Sequence, residues 1–281
     1  MSTPLPVAVS TFPFLYSHDG LAAVRRLAAR GYRAFEMMIF PPHCWPVEMP
    51  SLQRQEWHRT FKGEGLEIVS FCYPLLDNNP NSTDRLMRRY TLDRYREAID
   101  LAAEWGCPYV VTIPGPVGSL INPPMQWMLD WFVGAVQSLA KHAEGTDVGL
   151  LIENVPFTFL PTADDCARAA TLIGPGVGIN FDVCNSAYIR EDVPAAIRRL
   201  GGLVRNLHNS DSGYGEFKHD RLGTGIVQPG PAAEALREIG YTGHTVMEII
   251  TDALRPGADP DGDIAASHAI LAKHGWAALP A

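Results

Sequence analysis

The sequence is short of several things, and each shortage removes a class of function. It has no uninterrupted apolar run approaching the roughly 18 residues that a bilayer-spanning helix needs, so no membrane partner is expected. It has no surplus of positive charge: 23 Lys and Arg stand against 31 Asp and Glu, a net charge of −8. A chain of that sign gains little from a phosphate backbone, and no nucleic-acid partner is expected either. Cysteine is sparse and unpatterned. Cys44, Cys72, Cys107, Cys166 and Cys184 are widely spaced with no CxxC pair, which reads as buried reduced thiols rather than a disulfide or zinc-thiolate framework. The opening stretch MSTPLPVAVSTFPF lacks a basic segment followed by a continuous apolar one, so a cytoplasmic location is expected. No low-complexity segment, composition break or long Pro/Gly-rich linker divides the chain.

What remains is an alternation. Short β-branched or aromatic runs occur at Val7–Phe12, Ala34–Ile39, Ile68–Tyr73, Tyr109–Ile113, Gly149–Val155, Gly178–Cys184, Val204–His208 and His244–Ile250. Longer amphipathic stretches lie between them, at His18–Ala29, Leu86–Glu104, Met125–His142, Asp164–Ile173, Pro194–Leu200, Pro231–Ile239 and Asp263–His274, with a weaker one near Ser51–Lys62. Eight βα units without a break predict one α/β domain over residues 1–281, a (β/α)8 TIM barrel, for which about 250 residues is the usual size. The loops that follow strands two, three and four are the long ones: PPHCWPVEMP, LLDNNPNSTD and GPVGSLINPP. In a barrel these cover the C-terminal face, where active sites are built.

Four of the apolar strands finish on residues foreign to a hydrophobic core: Glu153 in LLIENV, Asp182 in INFDVC, His208 in VRNLHNS and Glu248 in TVMEII. They fall on strands five to eight, so one rim of a barrel would bring them together. Three carboxylates at close quarters repel unless a cation compensates them. Two Glu, one Asp and one His form a mostly oxygen donor set, which suits one divalent ion, Mn²⁺ first, with Mg²⁺, Co²⁺ and Zn²⁺ as alternatives. The competing reading gives each of the four its own salt bridge at a barrel end. Glu36 in AFEMMIF and His43 in PPHCW belong to strand two and its loop and are candidates for contacting substrate or orienting a ligand. Phe12, Tyr16, Trp45, Tyr73 and Trp127 are candidates for an apolar wall against a carbon skeleton.

With those strand ends in place, the sequence resembles the xylose-isomerase-like superfamily of sugar isomerases and epimerases, and within it the D-tagatose 3-epimerase-like branch. The resemblance is carried by LLIEN, NFDVCNS, LHNSDSGYGEFKHDRLGTGI and GYTGHTVMEI, in that order. It implies that Glu153, Asp182, His208 and Glu248 hold the metal and that Glu153 and Glu248 remove and return a proton. There are departures. Asn185 stands three residues after the metal Asp, where the epimerases and endonuclease IV carry His. The D-x-H element of endonuclease IV reads Phe217, Lys218, His219 here, so two ligands of a trinuclear site are missing and DNA-repair chemistry is disfavoured. His219 matches the position of a substrate-contacting Arg of the ketose epimerases, and Arg221 lies two residues further on. Asn185, His219 and Arg221 therefore join the substrate-binding candidates.

Polarising the carbonyl of an α-hydroxy ketone acidifies the neighbouring C–H and leads to an enediolate. Proton return on the other face is epimerisation, return to the next carbon is aldose–ketose isomerisation, and loss of a β-hydroxyl is dehydration. The leading expectation is an isomerase or epimerase of a small free ketose or related polyhydroxy ketone. A dehydratase or lyase of a keto-cyclitol or keto-sugar is the alternative, and a non-catalytic metal-binding partner subunit the third reading. A homo-oligomer is left open. The strand-eight exit IITDALRPGADPDGD carries four Asp and one Arg, a poor setting for a phosphate dianion, whereas the GTG near His219 and Arg221 offers backbone donors.

Overall fold

Strand-forming runs bounded by Gly, Pro and polar turns become β1 (Val7–Ser10), β2 (Ala34–Met38), β3 (Glu67–Cys72), β4 (Tyr109–Thr112), β5 (Gly149–Glu153), β6 (Val177–Asp182), β7 (Val204–Asn209) and β8 (Thr245–Met247). In the computed structural model, which describes residues 3–74, 77–118 and 120–279, they form a closed barrel in chain order, with β8 returning to pair in parallel with β1. The expected (β/α)8 architecture is the one observed. Leu75 and Leu76 of LLDNNPNSTD and Ser119 of GPVGSLINPP lie outside the described residues.

The helices are α1 (Gly20–Ala28), α2 (Ser51–Gly63), α3 (Arg85–Trp105), α4 (Met125–Ala143), α5 (Ala163–Ile173), α6 (Val183–Tyr188), α7 (Val193–Leu200), α8 (Pro229–Glu238) and α9 (Pro260–Lys273). Their ends have local causes. Asp84 accepts the Leu86 N–H to open α3, and Gly106, at φ 71°, closes it in the left-handed conformation that costs glycine least. Thr162 and Asp165 form a reciprocal capping box on α5. Along α3 the buried Tyr95, Ala98, Ile99 and Ala102 recur every three or four residues, which is the stripe laid against the barrel.

Several strands end one to three residues earlier than the sequence reading, and two of these differences shape the site. The segment Gly178–Cys184 divides at Asp182, which ends β6 and caps the unforeseen short helix α6 by accepting the Asn185 N–H. Strand eight, expected to reach Ile250, ends at Met247. Beyond it the Glu248 N–H still reaches the Asn209 carbonyl at 3.2 Å and the Ile250 N–H reaches the His219 carbonyl at 2.8 Å. The exit of β8 thus leans on β7 and its loop.

The inside of the barrel is more polar than the runs suggested. A small apolar layer of Ala8, Ala34, Val69 and Val246 is accompanied by buried Ser10, Glu36, Ser70, Asn180 and Asn206. Because side chains alternate with a period of two, Asn180 shares a face with Asp182, Asn206 with His208, and Val246 with Glu248. The apolar bulk sits outside the strands, under the helices. Phe132 of α4 is fully buried there, with its ring 5.5 Å from that of Phe159. Phe132→Ala is expected to cost about 3–5 kcal/mol, seen as a lower denaturant midpoint at unchanged slope; a loss under 1 kcal/mol would mean that the helix layer repacks freely.

Candidate metal centre and substrate pocket

Glu153 ends β5, Asp182 ends β6, His208 lies one residue before the end of β7, and Glu248 follows β8 directly. One donor atom of each lies within 4.8 Å of the others, and all four residues are buried. His208 is at the centre. Its Nδ1 lies 3.3 Å from Glu248 Oε2, 3.7 Å from Glu153 Oε1 and 3.9 Å from Asp182 Oδ2.

Each member is aimed by a neighbour. Glu36 Oε2 accepts from His208 Nε2 at 2.9 Å and from the Ser70 hydroxyl at 2.8 Å, which fixes Nε2 as a donor and turns Nδ1 toward the carboxylates. Asn180 Nδ2 donates to Glu153 Oε2 at 3.0 Å and its own Oδ1 accepts from Asn206 Nδ2 at 3.0 Å. Asp182 is pinned by Asn154, whose Oδ1 accepts the Asp182 N–H while its Nδ2 donates to the Asp182 carbonyl. Capping α6 occupies Asp182 Oδ1 and leaves Oδ2 without a hydrogen-bond partner.

That orphaned oxygen provides a fit test for a cation. Asp182 Oδ2 and His208 Nδ1 are both buried and unpartnered, and both belong to the four-residue cluster. Such groups are costly unless something fills the space between them, and a divalent ion among these donors would satisfy both. The electrostatics agree. Burial raises Glu153 well above the usual carboxylate range, with Glu248 and Asp182 adding repulsion against the pull of His208. Burial also raises Asp182 to about 6, against His219. For Glu248 the cost of burial is outweighed by His208 and His219, and its pKa falls below the ordinary value.

Above the cluster opens a cavity of about 180 Å³ with Glu153, Asn185, His219 and Glu248 in its lining. Asn185 Nδ2 donates to the Asn154 carbonyl at 2.9 Å, and its Oδ1 is buried without a partner. His219 Nδ1 sits 3.1 Å from Glu248 Oε2 and 3.0 Å from the Ser210 hydroxyl. Burial alone would lower this imidazole, but Glu248 and Asp182 raise it to about 9.

Other candidates stand elsewhere. Arg221 is exposed and does not line the cavity. His43 is buried away from it, with Nδ1 donating to the His18 carbonyl at 2.8 Å and Nε2 beside the Thr11 hydroxyl at 2.9 Å. Both ring nitrogens are engaged in fastening the end of β1. Of the five aromatics considered for the wall, Phe12 lines the cavity. Tyr73 is buried against Trp45 and Tyr95, while Tyr16 and Trp127 are exposed.

A family model described as the xylose isomerase-like TIM barrel matches residues 24–274. The chain belongs to that family. Fructoselysine 3-epimerase of Shigella flexneri is 29% identical over 239 residues, covering 82% of this chain and 84% of the relative. The solved structure of a D-tagatose 3-epimerase-like protein superposes with a TM-score of 0.82 at 20% identity, covering 96% of this chain and 97% of that one. A 3-keto-D-glucoside 4-epimerase from E. coli gives 0.79 at 17% identity, covering 96% and 99%. At these identities the two structures speak to the fold. Among the described residues no helix is long and apolar enough to cross a membrane.

Asn154, Asn180, Asn206 and Phe217 are site residues that the sequence reading did not single out. Asn154 and Asn180 lie inside the quoted LLIEN and NFDVCNS segments, and buried-strand asparagines were the available signal. His43 yields a pH test. Burial lowers its pKa from 6.5 to about 4, the His18 carbonyl notwithstanding, so between those pH values the unfolded chain binds the extra proton. Its contribution to stability is complete above about pH 6.5 and is lost as pH falls toward 4. The metal-free protein should therefore lose stability over that window more steeply than His43→Gln, by up to about 1.4 kcal/mol per pH unit. Parallel unfolding curves for the two proteins at pH 4.5, 5.5 and 7 would refute it.

Proposed function

We propose that this chain is a divalent-metal-dependent epimerase or isomerase acting on a small, unphosphorylated polyhydroxy ketone. The observation that carries this reading is the convergence of Glu153, Asp182, His208 and Glu248 around two unpartnered buried atoms at the floor of a cavity. The fructoselysine epimerase relative supports the reaction class. Mn²⁺ is the first choice for the oxygen-rich set, and a bound divalent ion supplies Lewis-acid polarisation of a substrate carbonyl.

The chain's own groups divide the remaining work. Glu153 and Glu248 come from β5 and β8, which are not neighbours in the barrel, so they reach the cavity from different directions. In this reading one carboxylate takes the proton from the carbon beside the carbonyl and the other returns a proton. Asn180 holds Glu153 Oε2 at 3.0 Å, leaving Oε1 toward the cluster. His219, beside Glu248, and Asn185, with its unpartnered Oδ1, serve substrate oxygens. His208, fixed by Glu36, stays a ligand.

An unphosphorylated substrate is supported by the loop after β7. The Asp211 carboxylate accepts the N–H groups of Ser212, Gly223, Gly225 and Val227 at 2.8–2.9 Å. The two glycine N–H groups of GTG, which a phosphate would use, are committed to the chain's own buried anion.

Treatment with a chelator is expected to abolish turnover and lower Tm, and Mn²⁺ or Co²⁺ to restore both; an ion at one hundred times its Kd stabilises by about 2.7 kcal/mol. Glu153→Gln and Glu248→Gln should each slow exchange of the substrate's α-hydrogen with D2O by about 10²–10⁴-fold, with metal content measured in the same samples. Normal exchange at normal metal occupancy would move the base to another residue. For a ketose and its terminal phosphate, kcat/KM should favour the free sugar, and a hundredfold preference for the phosphate would overturn that part of the reading.

A further inference from the structure

The cavity over the candidate metal centre has polar groups at its floor and almost none in its walls. Phe12, Met38, Ile113, Val155, Phe217 and Ile250 rise from six different strand ends and loops to enclose it. A bare ketose turns hydroxyls outward along its whole length, and a hydroxyl buried against such walls loses its water without gaining a partner.

The outer rim is aromatic. Phe157 follows β5, Tyr188 ends α6 and Phe217 lies in the loop after β7, with ring centroids 5.8 Å (Phe157–Tyr188), 5.5 Å (Phe157–Phe217) and 5.0 Å (Tyr188–Phe217) apart. Phe217 continues inward to His219 at 5.2 Å, edge to face. The three rings lead from solvent to the reacting end of the cavity. Phe157 is 57% exposed and held at φ 65°, an unfavourable conformation for a bulky side chain. Its carbonyl is tied to the Val117 N–H at 2.9 Å, which holds the loop in place. A large apolar ring kept in a strained, exposed position beside two others has no core-packing reason to be there.

We propose that this rim is a stacking platform, and that the substrate is a keto-sugar carrying an apolar, aromatic-sized aglycone next to the reacting carbon rather than a bare ketose. The assignment rests on the epimerase reading above and adds the substrate class. The sugar ring would sit over Glu153, Asn185, His219 and Glu248, and the aglycone against Phe217, Tyr188 and Phe157.

The test compares phenyl and methyl 3-keto-β-D-glucopyranosides and a free ketose with the Mn²⁺-loaded protein, reading α-hydrogen exchange with D2O and turnover, alongside calorimetric binding of the unreactive phenyl and methyl β-D-glucopyranosides. The phenyl compounds are expected to show a tenfold or greater advantage in kcat/KM and in Kd. Phe157→Gly removes the ring and relieves the backbone, and it should cut that advantage at least fivefold while the methyl compounds change less than threefold. Equal handling of phenyl and methyl compounds, or an advantage untouched by Phe157→Gly, would overturn the platform and leave the epimerase reading standing. Failure of every keto-sugar to exchange with the metal bound would overturn both.

Discussion

Three buried carboxylates share one end of this barrel, and their mutual repulsion is the constraint on which the rest of the site depends. Glu153, Asp182 and Glu248 are all nearly inaccessible to water, so solvent cannot screen them. Two imidazoles stand among them, and even so Glu153 and Asp182 are pushed toward their protonated forms. Such an arrangement is costly to fold unless a cation completes it. The price is borne by the polar groups inside the barrel, which occupy space that a purely structural barrel would fill with branched aliphatic side chains.

Those interior groups act as a fixed scaffold. Glu36, Ser70, Asn180, Asn206 and Asn154 each spend their hydrogen bonds on one cluster member or on another scaffold residue. Held this way, the donor atoms keep their spacing without relying on any ion to collect them. Farther out, Asp211 organises the loop after β7 by taking four backbone N–H groups, and that loop carries both His219 and Phe217. The site is thus built in depth: a scaffold inside the barrel, donors at the strand ends, and an aromatic and apolar mouth.

Much of this was legible before any coordinates. The eight strands were readable because β-branched and aromatic runs of five to seven residues separated by helical stretches fit a closed parallel barrel best. The four strand-end donors were readable because a charged residue ending an apolar strand is conspicuous. Glu36 was visible as a charge inside an apolar strand, but its bond to His208 joins residues 172 apart in sequence, and no local pattern encodes that pairing. Asn180 and Asn206 were overlooked because asparagine in a strand is unremarkable until a neighbouring strand supplies its partner.

Residue order and spacing therefore determined the barrel and which polar side chains stand at its strand ends, because side-chain periodicity and charge are local properties of the chain. The tertiary structure decided which atom of each donor is spent and which remains: Asp182 Oδ1 on a helix cap and Oδ2 toward the cluster, His208 Nε2 on Glu36 and Nδ1 toward the carboxylates. It also decided that His43 fastens a strand end, that Arg221 faces solvent, that the Gly223 and Gly225 amides belong to Asp211, and that three distant aromatics meet at one rim. Each of these depends on the register between strands and the path of loops, which arise from packing the whole barrel at once and leave no trace in any single stretch of sequence.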